Sequence, residues 1–502
     1  MILEIILIFI GFILWMCSDY IFHDPLKNFS KTSIPLLKNS FNIVRMSPVE
    51  IFQFVRNGAI KYQKSYQHSF FGCFFVYNII RAKDAEKILS SSKLLKKGRA
   101  YQYLHPFLKT GLLTSEGAKW HQRRRMLTPA FHFNILKEFC EIFREESEKL
   151  VQQLKSLTGK EIDIIPISTQ FTLNTVCESA MGIKLSDLGN DGKTYRNNIY
   201  EIGSLLVSRM TKPWLFNDFA YRLFGSKKIL DKVLKPIHEF TQSIISKRRI
   251  DFLIKRSINN EQPIQETDDE NIYLRSKKKR VAMMDTLLQA QSEGLIDDEG
   301  IIEETDTFTF EGHDTTSAGM TFTLLLLAHH QEIQEKIFQE IQEVTDGRDD
   351  LTTDDLNKMN YMERALKESL RVYPPVPYIS RTFTKDFEHD GALYPKGSFV
   401  QIMIYDIHRD PEYFPDPEKF DPDRFLPENC INRHNYAFVA FSAGMRNCIG
   451  QRFAMLELKI MLAHVIKNFK VLPVTKREEL VFKADLVLRT VDPVRMKFEL
   501  RK

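Results

Sequence analysis

Phe441-Ser442-Ala443-Gly444-Met445-Arg446-Asn447-Cys448-Ile449-Gly450 decides the reading of this chain. A lone cysteine is ordinarily a small buried hydrophobe. This one sits between two glycines and directly before a helical run, Gln451 to Lys467. The free N–H groups and positive dipole end of that helix would face the sulfur and favour its thiolate. Gly444 and Gly450 suit a tight turn and close approach of backbone to a flat macrocycle. Phe441 can shield the sulfur from water, and Arg446 can pair with a carboxylate. The stretch fits a loop that offers a thiolate to haem iron, a ligation that favours O–O bond cleavage.

On these residues the chain resembles the cytochrome P-450 superfamily of haem-thiolate monooxygenases. The resemblance implies a mainly α fold with a small β-rich subdomain, and haem b as cofactor. Composition agrees. The chain has 502 residues and a net charge of +5, with no linker or fixed-period repeat that divides it. The modest charge and the lack of zinc-finger or Arg-aromatic patterns argue against nucleic acid. The six cysteines, Cys17, Cys73, Cys140, Cys177, Cys430 and Cys448, form no C-x-x-C pair. Neither a zinc site nor a disulfide framework is indicated.

Met1 to Phe22 is apolar except for Glu4, Ser18 and Asp19. Twenty-two helical residues would span ~33 Å, enough for a bilayer core. Lys27, Lys31, Lys38 and Arg45 follow, which places the rest of the chain on the cytosolic side. The expected organisation is an anchor helix over 1–22, a linker over 23–34 and a haem domain over 35–502, on the endoplasmic reticulum membrane. The linker is poor in Pro and Gly, with only Pro25, Pro35 and Pro48 scattered nearby.

Further along, residues 50–65 and 82–89 read as helices, and 69–80 as strands. From 115 to 255 the periodicity is mostly helical. Pro213-Trp214-Leu215-Phe216, with Phe219, Tyr221, Leu223 and Phe224, interrupts it. This segment suits either core packing or an apolar lip that dips into a membrane. Residues 259–280 read as a solvated loop. Asp297 to His330 is one long helix, and Leu351 to Val372 another.

The long helix contains Glu311-Gly312-His313-Asp314-Thr315-Thr316. Gly312 costs ~1 kcal/mol of helix propensity, and the resemblance implies that this point crosses the distal haem face, where a missing side chain leaves room for dioxygen. Asp314 and Thr315 then form an acid–alcohol pair able to relay protons, unless Thr315 merely bonds the preceding turn. E-G-H-D-T-T resembles the fatty-acid omega-hydroxylase branch, family four. There the glutamate can form an ester to a haem methyl, so Glu311 is expected either esterified or as a carboxylate that snorkels or pairs. His313 reads as a helix residue near the substrate edge.

Glu368 and Arg371, at i and i+3, match E-x-x-R, as do Glu141 and Arg144. Only the first pair lies before Pro374-Pro375 and upstream of Pro417-Glu418-Lys419-Phe420-Asp421-Pro422-Asp423-Arg424-Phe425. The resemblance implies a buried Glu368–Arg371–Arg424 network that holds the cysteine loop. It also implies that Trp120 and Arg124, at i and i+4, bond the haem propionates, with Arg381 and Arg446 as further donors. Arg123, Arg125 and Lys459 are candidates for docking an acidic reductase, or else a solvated face.

The implied reaction inserts one oxygen atom from O2 into a C–H bond of a lipophilic substrate, with omega-hydroxylation of fatty acids expected. Electrons would come from NADPH–cytochrome reductase, with cytochrome b5 as a second candidate donor, since no dinucleotide fingerprint opens a βαβ unit here. Two other classes remain. A haem-thiolate isomerase or dehydratase would need no proton relay, and a haem-binding sensor would not consume NADPH.

Overall fold

A computed structural model describes residues 43–70, 74–189, 192–259, 282–348, 351–389 and 392–501. The expected anchor, the linker and most of the 259–280 loop lie outside these residues. Among the described residues no helix is long and apolar enough to cross a membrane.

Twelve α-helices of eight or more residues dominate the described residues: α1 Pro48–Tyr62, α2 Ala82–Leu89, α3 Gly117–Leu127, α4 Phe133–Ser156, α5 Ile164–Ser179, α6 Lys193–Thr211, α7 Ser226–Asn259, α8 Met283–Ser292, α9 Asp298–His329, α10 Gln331–Thr345, α11 Asn360–Val372 and α12 Gln451–Asn468. Helix α9 is the axis. Asp297 caps it by accepting a hydrogen bond from the Gly300 N–H. It is buried on nearly every side, although Glu303, Glu304, Asp306, His313 and Asp314 lie on it. It packs on α5, α7, α11 and α12. Gly312 permits a close approach: a Cβ there would lie 2.6 Å from Cγ2 of Val176 on α5. Helix packing therefore requires this glycine, a reason the sequence alone does not show.

The mainly α reading holds, and the β structure is small. One sheet has the order β1 (Tyr66–Phe70), β2 (Phe74–Ile79), β7 (Phe399–Ile402), β4 (Ile379–Thr382). Its β2–β7 pair is parallel and its other two pairs antiparallel. The strand-rich stretch at 69–80 thus joins a distant segment. A second sheet joins β3 (Ile162–Asp163), β11 (Arg495–Leu500) and β8 (Phe469–Pro473), and two-stranded ribbons pair β5 (Phe387–His389) with β6 (Ala392–Tyr394) and β9 (Phe482–Lys483) with β10 (Arg489–Thr490).

The single helix expected over Leu351–Val372 is two. A short helix, Thr353–Lys358, stops before buried Met359, and α11 starts anew. The Glu340 carboxylate caps α11 by accepting from the N–H groups of Tyr361 and Met362 at 2.6 and 2.8 Å. A tertiary contact from α10 sets this break, so local periodicity could not show it.

Candidate active site

A cavity of about 1300 Å³ opens beneath α9, walled by the cysteine loop, α3, α6, the β1–β2–β7–β4 sheet and the 484–487 segment. Phe441, Cys448, Trp120, Arg124, Arg446, Glu311, Gly312, Thr315 and Thr316 all line it.

The loop is built as its glycines suggest, with a different neighbour. Gly444 has φ +70°, and a Cβ there would overlap the Leu89 carbonyl at the end of α2. The close approach is of backbone to backbone. The Cys448 N–H donates to the Phe441 carbonyl at 2.9 Å, which closes the turn, and α12 follows at once. Arg124 donates to the Asn447 carbonyl and to Asn447 Oδ1 at 2.8 and 2.7 Å. The accessible surface of Cys448 faces the cavity. Burial pushes its thiol up to about 12 and Glu311 adds to this, against the Gly450 N–H and Arg124.

Behind the loop, Arg371 donates to both oxygens of Glu368 at 2.7 and 2.8 Å, and both side chains are fully buried. Arg424 Nε lies 3.4 Å from Glu368 Oε1, and the Asp421 N–H donates to the same oxygen at 3.0 Å. The other E-x-x-R match, Glu141–Arg144, is a half-exposed surface pair. Sequence reasoning missed His408, which ties this network to the loop. Its Nε2 accepts from the Val439 N–H at 2.9 Å, its Nδ1 lies 3.3 Å from the Arg371 carbonyl, and Arg371 donates to the His408 carbonyl at 2.9 Å. Burial and the neighbouring Arg371 and Arg409 push His408 down to about 3, so it stays neutral.

Three cations gather at one end of the cavity. Arg446 stacks 4.3 Å from the centre of the Trp120 ring and donates to the carbonyls of Leu112 and Ser115 at 3.3 and 2.5 Å. Arg381, on β4, is 2 % exposed, donates to the Ser380 carbonyl, and sits behind the wall. Lys97, which no motif marked, bridges to Arg381 through its backbone and lines the cavity. Burial first, then Arg381 and Arg446, push Lys97 well below its ordinary value. Among the described residues Lys97, Arg381 and Arg446 form no ion pair. Arg446 also leaves its buried Nε without a hydrogen bond. Glu311 faces Lys97 and Arg124, and Glu116 acts on Arg446. The Glu311 carboxyl, which burial pushes up, has no direct hydrogen-bond partner among the described residues.

The relay pair divides. Thr315 lines the cavity, and its hydroxyl donates to the Glu311 carbonyl one turn back at 2.8 Å. Asp314 is fully buried on another face and bonded to Arg489. His313 is buried too, with Nδ1 3.0 Å from the Thr309 carbonyl and its ring 5.5 Å from that of Tyr195. Of the three docking candidates only Arg125 is exposed. Arg123 is buried beside Glu303 and Glu304, and Lys459 is buried and donates to Glu363. In the aromatic segment Trp214, Phe219, Leu223 and Phe224 are exposed, Leu215 and Tyr221 are buried, and Phe216 lines the cavity, so it is part core and part surface.

Comparison with known proteins agrees with this geometry. The family model described as Cytochrome P450 matches residues 30–498. This chain belongs to the cytochrome P450 family. Among its relatives, "Probable cytochrome P450 4ac3" of Drosophila melanogaster is 43% identical over 465 residues, 92% of this chain and 88% of that protein. "Cytochrome P450 4p1" of the same species is 42% identical, covering 91% and 88%. "Cytochrome P450 4c21" of Blattella germanica is 41% identical, covering 84% and 83%. As a cytochrome P450 the chain is a haem-dependent monooxygenase. Its cavity fits that cofactor. Cys448 could ligate the iron, and buried cations without counter-ions could receive two propionates.

Proposed function

We propose that this P450 hydroxylates fatty acids or related lipophilic chains at or near the terminal carbon. In this reading Cys448 would ligate the haem iron, and Phe441 would screen the sulfur. Trp120, Arg124, Arg381 and Arg446, together with Lys97, hold the propionates. Bound haem supplies the activation of O2, of which one atom enters a C–H bond. Thr315 offers a hydroxyl to the distal side, and Asp314 carries protons towards it. The Glu368–Arg371–Arg424 network, through His408, keeps the loop in place. Electrons come from NADPH–cytochrome reductase, with cytochrome b5 as a second donor, at the endoplasmic reticulum membrane to which residues 1–22 anchor the chain.

Glu311 carries the terminal-carbon reading. A carboxyl that lines the cavity without a partner is costly, and an ester to a haem methyl would remove that charge and fix the macrocycle to α9. Inner C–H bonds are weaker than terminal ones, so a terminal-selective site must resist small misplacements of the chain. The relatives whose names place them in family four favour the same reading. The test is turnover of labelled fatty acids with reductase and NADPH, mapping the hydroxylated carbon, followed by acidic extraction of haem. Attached haem and mainly terminal product are expected, and Glu311→Ala should release the haem and shift attack inward. Freely extracted wild-type haem with inner-carbon product overturns the reading.

A further inference from the structure

Asp314 does not face the cavity. Its carboxylate oxygens lie 2.9 and 2.7 Å from Nη2 of Arg489, and both residues are buried. Arg489 opens β10 and has a second carboxylate within reach. Its Nε lies 3.2 Å from Oδ2 of Asp485, yet neither atom completes a hydrogen bond. The guanidinium also stacks 3.7 Å from the centre of the Tyr200 ring on α6. The same helix packs on Asp485 through Gly203, where a Cβ would lie 2.6 Å from the Asp485 carboxyl carbon. Asp485 lines the cavity, as do Ala484, Leu486 and Val487, and as do Val207 and Met210 of α6.

One guanidinium thus stands between two acids, bonded to one and only half aligned with the other. Arginine cannot give up its proton, so it must serve at least one of them. With both carboxylate oxygens on Arg489, Asp314 is held away from the Thr315 side of α9. Burial pushes Asp485 up to about 6, so near neutral pH it is readily ionised and able to attract Arg489. The acid on the cavity wall is the one a substrate can move, directly or through α6.

We propose that Arg489 is a positioning residue for proton delivery: filling the cavity draws it from Asp314 towards Asp485, and Asp314 is released to carry protons. This rests on the reading of Asp314 as proton carrier. The exchange itself changes no covalent bond. Arg489 keeps its charge and trades one carboxylate for another. Asp314 then takes a proton from solvent water and gives it up on the Thr315 side of α9.

The test compares Asp314→Asn, Asp485→Asn, their double variant and Arg489→Lys in the full chain with reductase. The substrate is the labelled fatty acid turned over fastest. The ferrous–CO spectrum checks that each variant keeps its haem site, and the readouts are product per NADPH and the solvent isotope effect on kcat. Asp485→Asn should lower product per NADPH roughly tenfold and enlarge the isotope effect. The double variant should be no worse than Asp314→Asn, because both act in one pathway. Arg489→Lys, whose single ammonium cannot span both acids, should behave like Asp485→Asn and covers the case in which that variant fails to assemble. If Asp314→Asn is impaired while Asp485→Asn and Arg489→Lys match the wild type, or if the two Asn losses multiply, this inference falls alone. If Asp314→Asn itself matches the wild type, the proton-carrier reading falls and takes this one with it.

Discussion

Gly444→Ala tests how tightly the cysteine loop is seated. Gly444 holds φ +70°, a conformation that costs an L-residue roughly 1–2 kcal/mol. The added Cβ would also overlap the Leu89 carbonyl oxygen and lie 2.9 Å from its carbonyl carbon. Both sides of this contact are backbone, so no side chain can swing away. Shifting them costs about 1–3 kcal/mol more, as overpacking does. The sum, about 2–5 kcal/mol, is a large part of typical stability. The shift would fall on a loop whose Cys448 N–H donates to the Phe441 carbonyl and whose Asn447 N–H donates to the Gly444 carbonyl. Gly444→Ala should therefore lose haem at lower temperature and show a smaller red-shifted Soret band in the ferrous–CO complex. Gly444→Asn separates the two costs. Asparagine tolerates the left-handed conformation but meets the same carbonyl, so it should recover about 1 kcal/mol and no more. Gly450→Ala is the control within the loop, since its Cβ would be 3.9 Å from Cys448 Sγ, an ordinary contact. If Gly444→Ala retains haem as well as Gly450→Ala does, the close approach to α2 is not what fixes the loop.

Three further outcomes are expected. Cys448→Ser should lose the red-shifted Soret band and monooxygenase activity together, and a variant that keeps both refutes the ligand assignment. Thr315→Ala should still consume NADPH but release hydrogen peroxide in place of hydroxylated product, and unchanged product per NADPH counts against the hydroxyl's role. Glu457, fully buried and bonded by the Thr175 hydroxyl, is pushed up to about 8 by burial. The folded state therefore holds a proton there that the unfolded chain gives up above pH ~4.5, and this contribution to stability is lost at about 1.4 kcal/mol per pH unit as pH rises to about 8. Glu457→Gln keeps the hydrogen bond and should flatten that slope in urea titrations, while an unchanged slope means that Glu457 is ionised in the fold.

What the sequence shows of this site follows the range of the interactions. The cysteine loop, α12 after it, the α9 motif and the Glu368–Arg371 pair are each local, so spacing alone marks them. Asp314 is local as well, but its partner Arg489 is 175 residues away, and no periodicity joins them. Lys97 meets Arg381 only because β4 runs beside the segment before the short helix at Arg99. His408 looks like any histidine before an arginine until the fold sets it between α11 and the loop. Arg123 and Lys459 mislead in the opposite direction. Their charge suggests a solvated face, yet each is buried against an acid.

Burial of charge also separates what holds this protein together from what it is built to receive. Around Glu368 every charge meets an opposite charge or a backbone group: Arg371 spans both carboxylate oxygens and two carbonyls, the Asp421 N–H donates to the acid, and Arg424 Nε stands 3.4 Å from it as an ion pair without a hydrogen bond. Such a set is tolerable in a core because breaking any one pair would strand a charge. At the end of the cavity the set is open. Lys97, Arg381 and Arg446 crowd together with carbonyls, the rings of Tyr101 and Trp120, and two acids, Glu311 and Glu116, that form no ion pair with them. Repulsion among them depresses Lys97 further. A fold gains little for its own stability from such an arrangement, and an anionic group entering the cavity would offset its cost. That asymmetry, a closed set behind the loop and an open one before it, separates the charges that hold the loop from those available to an anion in the cavity.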